Sequence, residues 1–522
     1  MTDANPATPN RATPWETWAL GLVLLAHLVI VPWYPNLHSA NELSRLYTAY
    51  ALLQGDVEIG PFLARHGDIN DKSRVADSWF SDKPPGTALV ALPALALRRA
   101  LGGAEDPASD LRLARLAVGV LPTFLLLLGL RREMAAMEVP PPARALALAT
   151  YGLGTLALPY TVLFYGHQLV AVLVFGITLL LTRPGPLSLP GAVAVGFLAA
   201  LSIATEYQSA VYLLPLAVFF LARVRPLPSR LAAALAGALP PLVALGLYHD
   251  AAFGAPWRTG YSFVANPFFA SVHAQGFMGI RTPRWVPFAG SLFAPSKGLL
   301  FWTPVAALGL AGTWTYARRS PVPLALLRLC QVLLPILFVS SMVYWDGGWT
   351  VGQRHLTPLV PLLVTPGAML ATRARWAGAL APGLAVISVM MTGTATVVFP
   401  HLPETFPNPF HDLVVPLARE GCLVPMHLGL DLPRLATALV LAAGFLVLAV
   451  ASVPALVRRP RARVLLLGLM VLLPAGWFAG SSRLARMDPD RARDERAFLL
   501  QLCRESRQDR RPDAPATGAR SR

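Results

Sequence analysis

The segment Trp18-Ala-Leu-Gly-Leu-Val-Leu-Leu-Ala-His-Leu-Val-Ile-Val-Pro-Trp33 carries no charged residue. A hydrocarbon core of about 30 Å needs about 20 apolar residues per crossing helix. Comparable runs recur at 113–130, 145–160, 168–182, 190–205, 208–222, 231–248, 299–316, 324–343, 356–371, 377–398, 435–457 and 464–479. Together they predict an all-α integral membrane protein, a polytopic bundle of about thirteen spans. Composition agrees: hydrophobic residues make up 55% and charged residues 14%, with mean hydropathy +0.52, more than a soluble domain of this size buries.

A formal charge of +16 would point to nucleic acid in a soluble protein. Here the arginines sit in short turns between apolar runs, the positive-inside pattern, and no nucleic-acid partner is expected. The turns with Arg131, Arg132 and Arg144, then Arg223, Arg225 and Arg230, Arg318, Arg319 and Arg328, Arg373 and Arg375, and Arg458, Arg459, Arg461 and Arg463 fall on one side if the run Gly86–Leu97 does not cross. That run, broken by Pro93, is therefore read as a juxtamembrane helix at the outer interface. The scheme places residues 1–17 in the cytoplasm, a polytopic domain over 18–480 with outer loops 34–111 and 250–298, and a basic tail over 481–522 outside. The tail predicts one amphipathic helix around Arg491 to Cys503 and disorder beyond it, including Arg510 and Arg511. The first run has no cleavage site before it and reads as a retained span. Scarce lysine and abundant Arg, Ala, Pro and Gly fit a high-GC bacterium and its inner membrane. Cys330 lies in an apolar run. Cys422 and Cys503 lie in polar segments, where one bridge is open if both face an oxidising compartment.

The outer loops are long and the inner ones minimal, so the chemistry is expected outside. The first loop contains Asn41-Glu42-Leu43-Ser44-Arg45-Leu46-Tyr47. A carboxylate where a helix meets water can deprotonate an incoming hydroxyl or amine; the competing reading is a helix-start pair. Lys83, before Pro84-Pro85, could hold a lipid phosphate at headgroup depth, or simply snorkel. Asp68, Asp71, Asp77 and Asp82 match no metal loop and read as solvated surface. Two later segments, Leu292–Gly298 with Lys297, and Tyr344-Trp-Asp346-Gly-Gly-Trp349 continuing to Gly352-Gln-Arg354-His355, pair Gly-rich turns with cations, as phosphate sites do. An aromatic belt with basic anchors is the alternative.

A first span, an Asn-Glu pair followed by an arginine, a Tyr-containing helix, the Gly55-Asp56 turn and Lys-Pro before an apolar helix resemble the opening loop of the GT-C membrane glycosyltransferases. The nearest in pattern are bacterial members of the protein O-mannosyltransferase group, which includes the lipid A aminoarabinose transferases. The resemblance runs from Trp18 to about Ala371. It implies transfer of a sugar from a polyprenyl-phosphate donor to an acceptor (protein, lipid or glycan) outside the cytoplasmic membrane, with inversion. The family's Asp-Glu pair falls on Asn41 and Glu42, so the first acid is missing and Glu42 becomes the base. The family's second acidic position falls near Tyr165-Gly166-His167-Gln168, where His167 replaces a carboxylate. Glu206 stands in a turn where relatives often carry lysine. The implied catalytic residues are Glu42 and His167; the implied substrate-binding residues are Arg45, Lys83, Glu206, Lys297, Asp346, Arg354 and His355. A divalent cation is left open, without a clear ligand motif. A transporter or flippase of a lipid-linked substrate and a catalytically inactive scaffold are the rival readings; the first lacks the mid-membrane charges and repeats such proteins use.

Overall fold

The structure, a computed structural model, describes residues 12–34, 36, 37, 39–428, 430–457 and 459–508. The expectations for residues 1–11, Arg458 and the tail from residue 509 lie outside the described residues.

The segment after α1 (Pro14–Val29) contains α2 (Ala40–Leu53), α3 (Gly60–His66), the hairpin β1 (Lys72–Val75) and β2 (Ser78–Ser81), and α4 (Gly86–Ala100). Then come α5 (Pro107–Ala136), α6 (Pro141–Gly154), α7 (Ala157–Val162), α8 (Gly166–Thr182), α9 (Leu189–Thr205), α10 (Tyr207–Arg223) and α11 (Leu227–Phe253). The segment after α11 carries α12 (Pro267–His273) and α13 (Trp285–Phe293). The remainder is α14 (Leu299–Trp302), α15 (Ala306–Arg319), α16 (Val322–Ser341), α17 (Arg354–Arg373), α18 (Arg375–Val398), α19 (410–419), α20 (Arg434–Leu456), α21 (Pro460–Ser481) and α22 (Pro489–Gln508).

Each expected apolar run falls on a helix or a pair of helices. Among the described residues seven helices (α5, α11, α16, α17, α18, α20 and α21) are long and apolar enough to cross a membrane, and α1, α8, α9 and α10 are shorter apolar helices. The run at 145–160 is broken between α6 and α7, and that at 299–316 between α14 and α15. The outward faces of α11 and α21 expose Leu235, Leu239, Leu247, Val464, Leu465, Val471 and Leu472, a surface that lipid tolerates and water does not.

Local chemistry starts the helices where they are needed. Thr13 and Glu16 form a reciprocal cap on α1, and the same Glu16 accepts from Arg144 Nε at 2.8 Å. Arg328 pairs with Glu133 at 2.8 Å, and Arg373 donates to the Met137 carbonyl. The turns grouped by their arginines thus gather at one end of the bundle. Arg328 itself is corrected: it lies within α16, almost fully buried against Glu133 and over the Tyr316 ring, because a guanidinium with a carboxylate partner can leave water.

Small residues let the backbones close. A side chain on Gly196 (α9) would start 1.7 Å from the Ala234 oxygen, and one on Gly237 (α11) 2.0 Å from that of Val193. Without a hydrophobic drive between helices in lipid, such approach is what holds them together. A second apolar cluster, including Leu46, Tyr47, Tyr50, Phe62, Ala91, Leu95, Leu111 and Phe164, docks α2, α3 and α4 onto the outer ends of α5 and α8. The Gly86–Leu97 run is helical as expected, and buried Asp110 fixes its end, accepting from Tyr50, Arg98 and Arg99 at 2.6–3.0 Å.

Overpacking a tight interface costs about 1–3 kcal/mol and more where backbone is struck. Gly196→Leu should therefore lower the thermal midpoint of the detergent-solubilised protein sharply, whereas a change at the uncrowded Gly468 should not; a melt followed by size-exclusion peak height compares them.

Candidate functional site

At the end of the bundle opposite the arginine turns, polar side chains from five parts of the chain converge. Arg45 is the hub. Its Nε donates to Asn41 Oδ1 at 3.1 Å, one Nη to Thr87 Oγ1 at 3.0 Å, and the other to Glu206 Oε1 at 2.6 Å, with Arg45 and Glu206 both buried. The register of α2 puts Asn41 one turn before Arg45, and the end of α9 delivers Glu206. His167, at the start of α8, has Nδ1 4.0 Å from Glu206 Oε1 and 3.2 Å from Gln208 Nε2. The His355 ring stands edge-on to it at 5.5 Å, and neither nitrogen of buried His355 has a partner among the described residues.

Lys83 lies beside this group, 2.9 Å from Asp71 and 2.9 Å from Asp82. Burial works against the ammonium, but the two carboxylates outweigh it and hold Lys83 above the ordinary lysine value. Burial also pushes Asp82 up to about 6, with Lys83 pulling it down and Asp71 pushing it up. The expectation of a solvated surface holds for Asp68 and Asp77 and is corrected for Asp71 and Asp82: the hairpin between β1 and β2 folds them under Lys83.

The Gly347-Gly348 turn, with φ of +70° and +73°, brings backbone against the Arg354 stem, a path that L side chains strain to follow. Asp346 caps it, accepting from the Gly348 N–H. Lys297 does not offer a free ammonium there. Its Nζ donates to the Gly348 and Thr350 carbonyls and to Thr350 Oγ1, so it pins the turn; burial brings it down to about 8. Half-buried Arg354 makes no hydrogen bond or ion pair among the described residues, and its Nε is without a partner. The hydroxyls of Tyr160, Tyr165 and Tyr344 are its electrostatic neighbours.

Glu42 faces another way. Its Oε1 accepts from Arg115 Nε at 3.0 Å, Arg115 Nη at 2.7 Å and the Phe164 N–H at 2.7 Å; Oε2 is 3.8 Å from His401 Nε2. Burial raises its affinity for a proton, but Arg115, His401 and the Phe164 N–H overcome this and hold Glu42 below the usual carboxylate value. Burial first, and Arg115 beside it, keep His401 neutral, down to about 4. Trp33, Tyr34, Ser39, Glu42, Arg115 and His401 line a crevice leading to this carboxylate. Tyr165 lies within electrostatic reach of both Glu42 and Arg354. Arg45, Lys83 and Arg354 all act on His167.

Arg45, Lys83, His167, Glu206, Arg354 and His355 therefore meet in one constellation, with Asp346 and Lys297 shaping its wall and Glu42 held apart from it by Arg115 and the Phe164 N–H. Arg115 and His401 were not anticipated. Arg115 opens an apolar run and looks like an interfacial anchor, and nothing near His401 in sequence marks it. Among the described residues no group of three or more His, Cys, Asp or Glu side chains is placed to hold a metal ion.

No family model matches the chain, and no curated protein does. Among solved structures it is similar to ArnT from Cupriavidus metallidurans bound to undecaprenyl phosphate, at 15% identity and TM-score 0.42 over 90% of this chain and 76% of that one. It is similar to the same protein in the apo state at 16% identity and TM-score 0.43, over 89% and 77%. It is also similar to the archaeal oligosaccharyltransferase AglB from Archaeoglobus fulgidus, in complex with an inhibitory peptide and a dolichol-phosphate, at 12% identity and TM-score 0.36, over 97% and 62%. These likenesses concern the course of the helices and say nothing of the side chains at the site.

Asp82 gives the site a pH signature. Its proton is held more tightly folded than unfolded, so the folded state gains from acid and loses stability as pH rises from about 4, the unfolded value, through about 6. Asp82→Asn should melt above wild type at pH 7 and converge with it near pH 4; parallel curves across that range would exclude the buried, proton-sharing carboxylate.

Proposed function

We propose that this protein is a membrane glycosyltransferase that takes a sugar from a polyprenyl-phosphate donor and passes it to an acceptor on the outer face of the bacterial cytoplasmic membrane, with inversion. The observation that carries the reading is Arg354, a half-buried guanidinium that forms no ion pair among the described residues, in a cleft where Arg45 and Lys83 are each paired with carboxylates. A cation left uncompensated at low dielectric favours an anionic ligand, and guanidinium geometry matches phosphate. Helices that cross lipid surround the cleft, so an anion on a lipid carrier reaches it without its tail leaving the bilayer.

Charge development assigns the other roles. As the anomeric C–O bond breaks, negative charge grows on the leaving phosphate, against Arg354 and the Tyr344 hydroxyl, and positive charge on the sugar ring, beside Glu206, Asp71 and Asp82. His167 and His355, neutral rings in the same cleft, are placed to accept or donate to sugar hydroxyls. Glu42, ionised and with Oε2 not claimed by Arg115, is the group suited to take the acceptor's proton. Glu42 and Arg354 both lie within electrostatic reach of Tyr165, and inversion needs the acceptor and the leaving phosphate on opposite sides of the sugar. Orientation has its own support: α20 and α21 make two crossings between Cys422 and Cys503, and the disulfide joining these residues forms in an oxidising, extracytoplasmic compartment. The inactive-scaffold reading rests on Asn41, whose amide is spent on Arg45 where the family carries an acid.

The test is release of polyprenyl phosphate from a panel of polyprenyl-phosphate sugars by the purified protein in nanodiscs. Arg354→Ala should weaken binding of polyprenyl phosphate by about 10- to 100-fold, the worth of a charged hydrogen bond, with Arg354→Lys recovering part. Glu42→Gln should cut kcat by about 100-fold or more while the protein elutes as wild type. Absence of release from every donor, with polyprenyl phosphate still bound through Arg354, would leave the scaffold reading standing.

A further inference from the structure

The stretch from Phe399 to Cys422 brings His401 to Glu42 and Glu404 into electrostatic reach of Lys297. The chain's C-terminal end holds much of this stretch. Asp412 pairs with Arg486, accepts from the Met487 N–H at 3.1 Å, and its carbonyl accepts from Arg496 at 2.8 Å. Thr405 donates to Glu495 at 2.6 Å, Asn408 donates to the Ser481 carbonyl at 2.9 Å, and His411 meets Ser481 Oγ at 2.8 Å. Ala492, Leu499 and Leu502 of α22 are buried, and Cys503 is bonded to Cys422. From the other side Asn36, shortly before α2, donates to Glu505 at 2.7 Å. One exposed, charge-rich helix thus straps both segments that flank the Glu42 crevice.

We propose that α22, once cross-linked through Cys422 and Cys503, is the strap that positions His401 against Glu42, so that the outer site is completed only in an oxidising compartment. The structural half stands alone; the catalytic half rests on the reading of Glu42 as base. Bond formation is an exchange: the two thiols give up two protons and two electrons to an external disulfide of that compartment, which leaves as its dithiol. Without the cross-link, α22 is held among the described residues by hydrogen bonds at Glu495, Arg496 and Glu505, which contribute little individually, and by a short apolar face. His401 then acts as a positioning residue. Its neutral ring faces only Glu42 and Arg115 among charged groups and fixes the side from which Oε2 is approached.

The experiment compares oxidised wild type, wild type reduced with dithiothreitol, and the Cys422→Ser/Cys503→Ser variant, all full-length in nanodiscs. Hydrogen exchange should rise about tenfold or more over 399–419 on loss of the bond and stay unchanged over α9. Unchanged exchange over 399–419 overturns the strap. For the catalytic half, reduction should lower kcat about tenfold with donor KM within about twofold, a split expected of a group acting on the proton transfer and not on phosphate binding. His401→Ala should do the same, reduction should add nothing in that background, and His401→Gln should recover part. If exchange rises while kcat holds, His401 has no positioning role. If exchange rises and even oxidised wild type releases no polyprenyl phosphate from any donor, the transferase reading fails and the strap stands.

Discussion

A single carboxylate organises the end of the bundle that carries the candidate site. Glu42 Oε1 takes two bonds from Arg115 and one from the Phe164 backbone, and Arg115 also donates to the Pro32 carbonyl. Those contacts bind the end of the first span, the start of α2, the head of α5 and the turn before α8 into one joint. Removing either partner would leave a bare charge in a buried place, a loss of about 3–5 kcal/mol. The register of α2 is fixed there, and with it the direction in which Asn41 and Arg45, on the neighbouring face, point. Arg45 then reaches Glu206, and so the end of α9, from a helix already locked. The constellation is a second tier built on the first.

Much of the fold was legible because the bilayer restricts the alphabet. Apolar runs of spanning length have few alternatives, and one of the arginine turns is tied down by an ion pair, Arg144 with Glu16. The breaks after Gly154 and Trp302 were not legible, since apolarity is continuous across both. Arg328 was misplaced for the opposite reason. A charge near a helix end is assigned to the turn unless its counter-charge is known, and Glu133 lies 195 residues away.

The candidate site was legible in its residue types and illegible in its pairings. Lys83, Arg354, His167 and Glu206 stood out because ionisable groups are scarce at the ends of apolar helices. Which of the cations remain free was hidden: Lys297 and Arg354 look alike in sequence, each beside a glycine turn, and fold into opposite roles. Lys297 has a flexible stem and three donors that carbonyls satisfy, so it disappears into the wall. Arg354, with a planar fork and no acceptor in place, keeps its charge for something else. His401 and Arg115 owe their meaning to partners across the molecule, and spacing does not carry that information.

The same scarcity explains why such a site can be strong while so much of its charge is neutralised. At the lipid boundary the effective dielectric is low, and each unpaired charge would be costly. Pairing Arg45 with Glu206, Arg115 with Glu42 and Lys83 with two carboxylates spreads that cost over groups whose work is to hold geometry. One guanidinium that forms no ion pair among the described residues, with Tyr165, Tyr344, Tyr160 and Asp71 as its electrostatic neighbours, is then left to meet a ligand. An anion entering from the membrane plane would meet a preorganised partner that need not release another carboxylate first. Preorganisation of that kind separates a binding cation from a structural one, and it depends on every other cation nearby already being occupied.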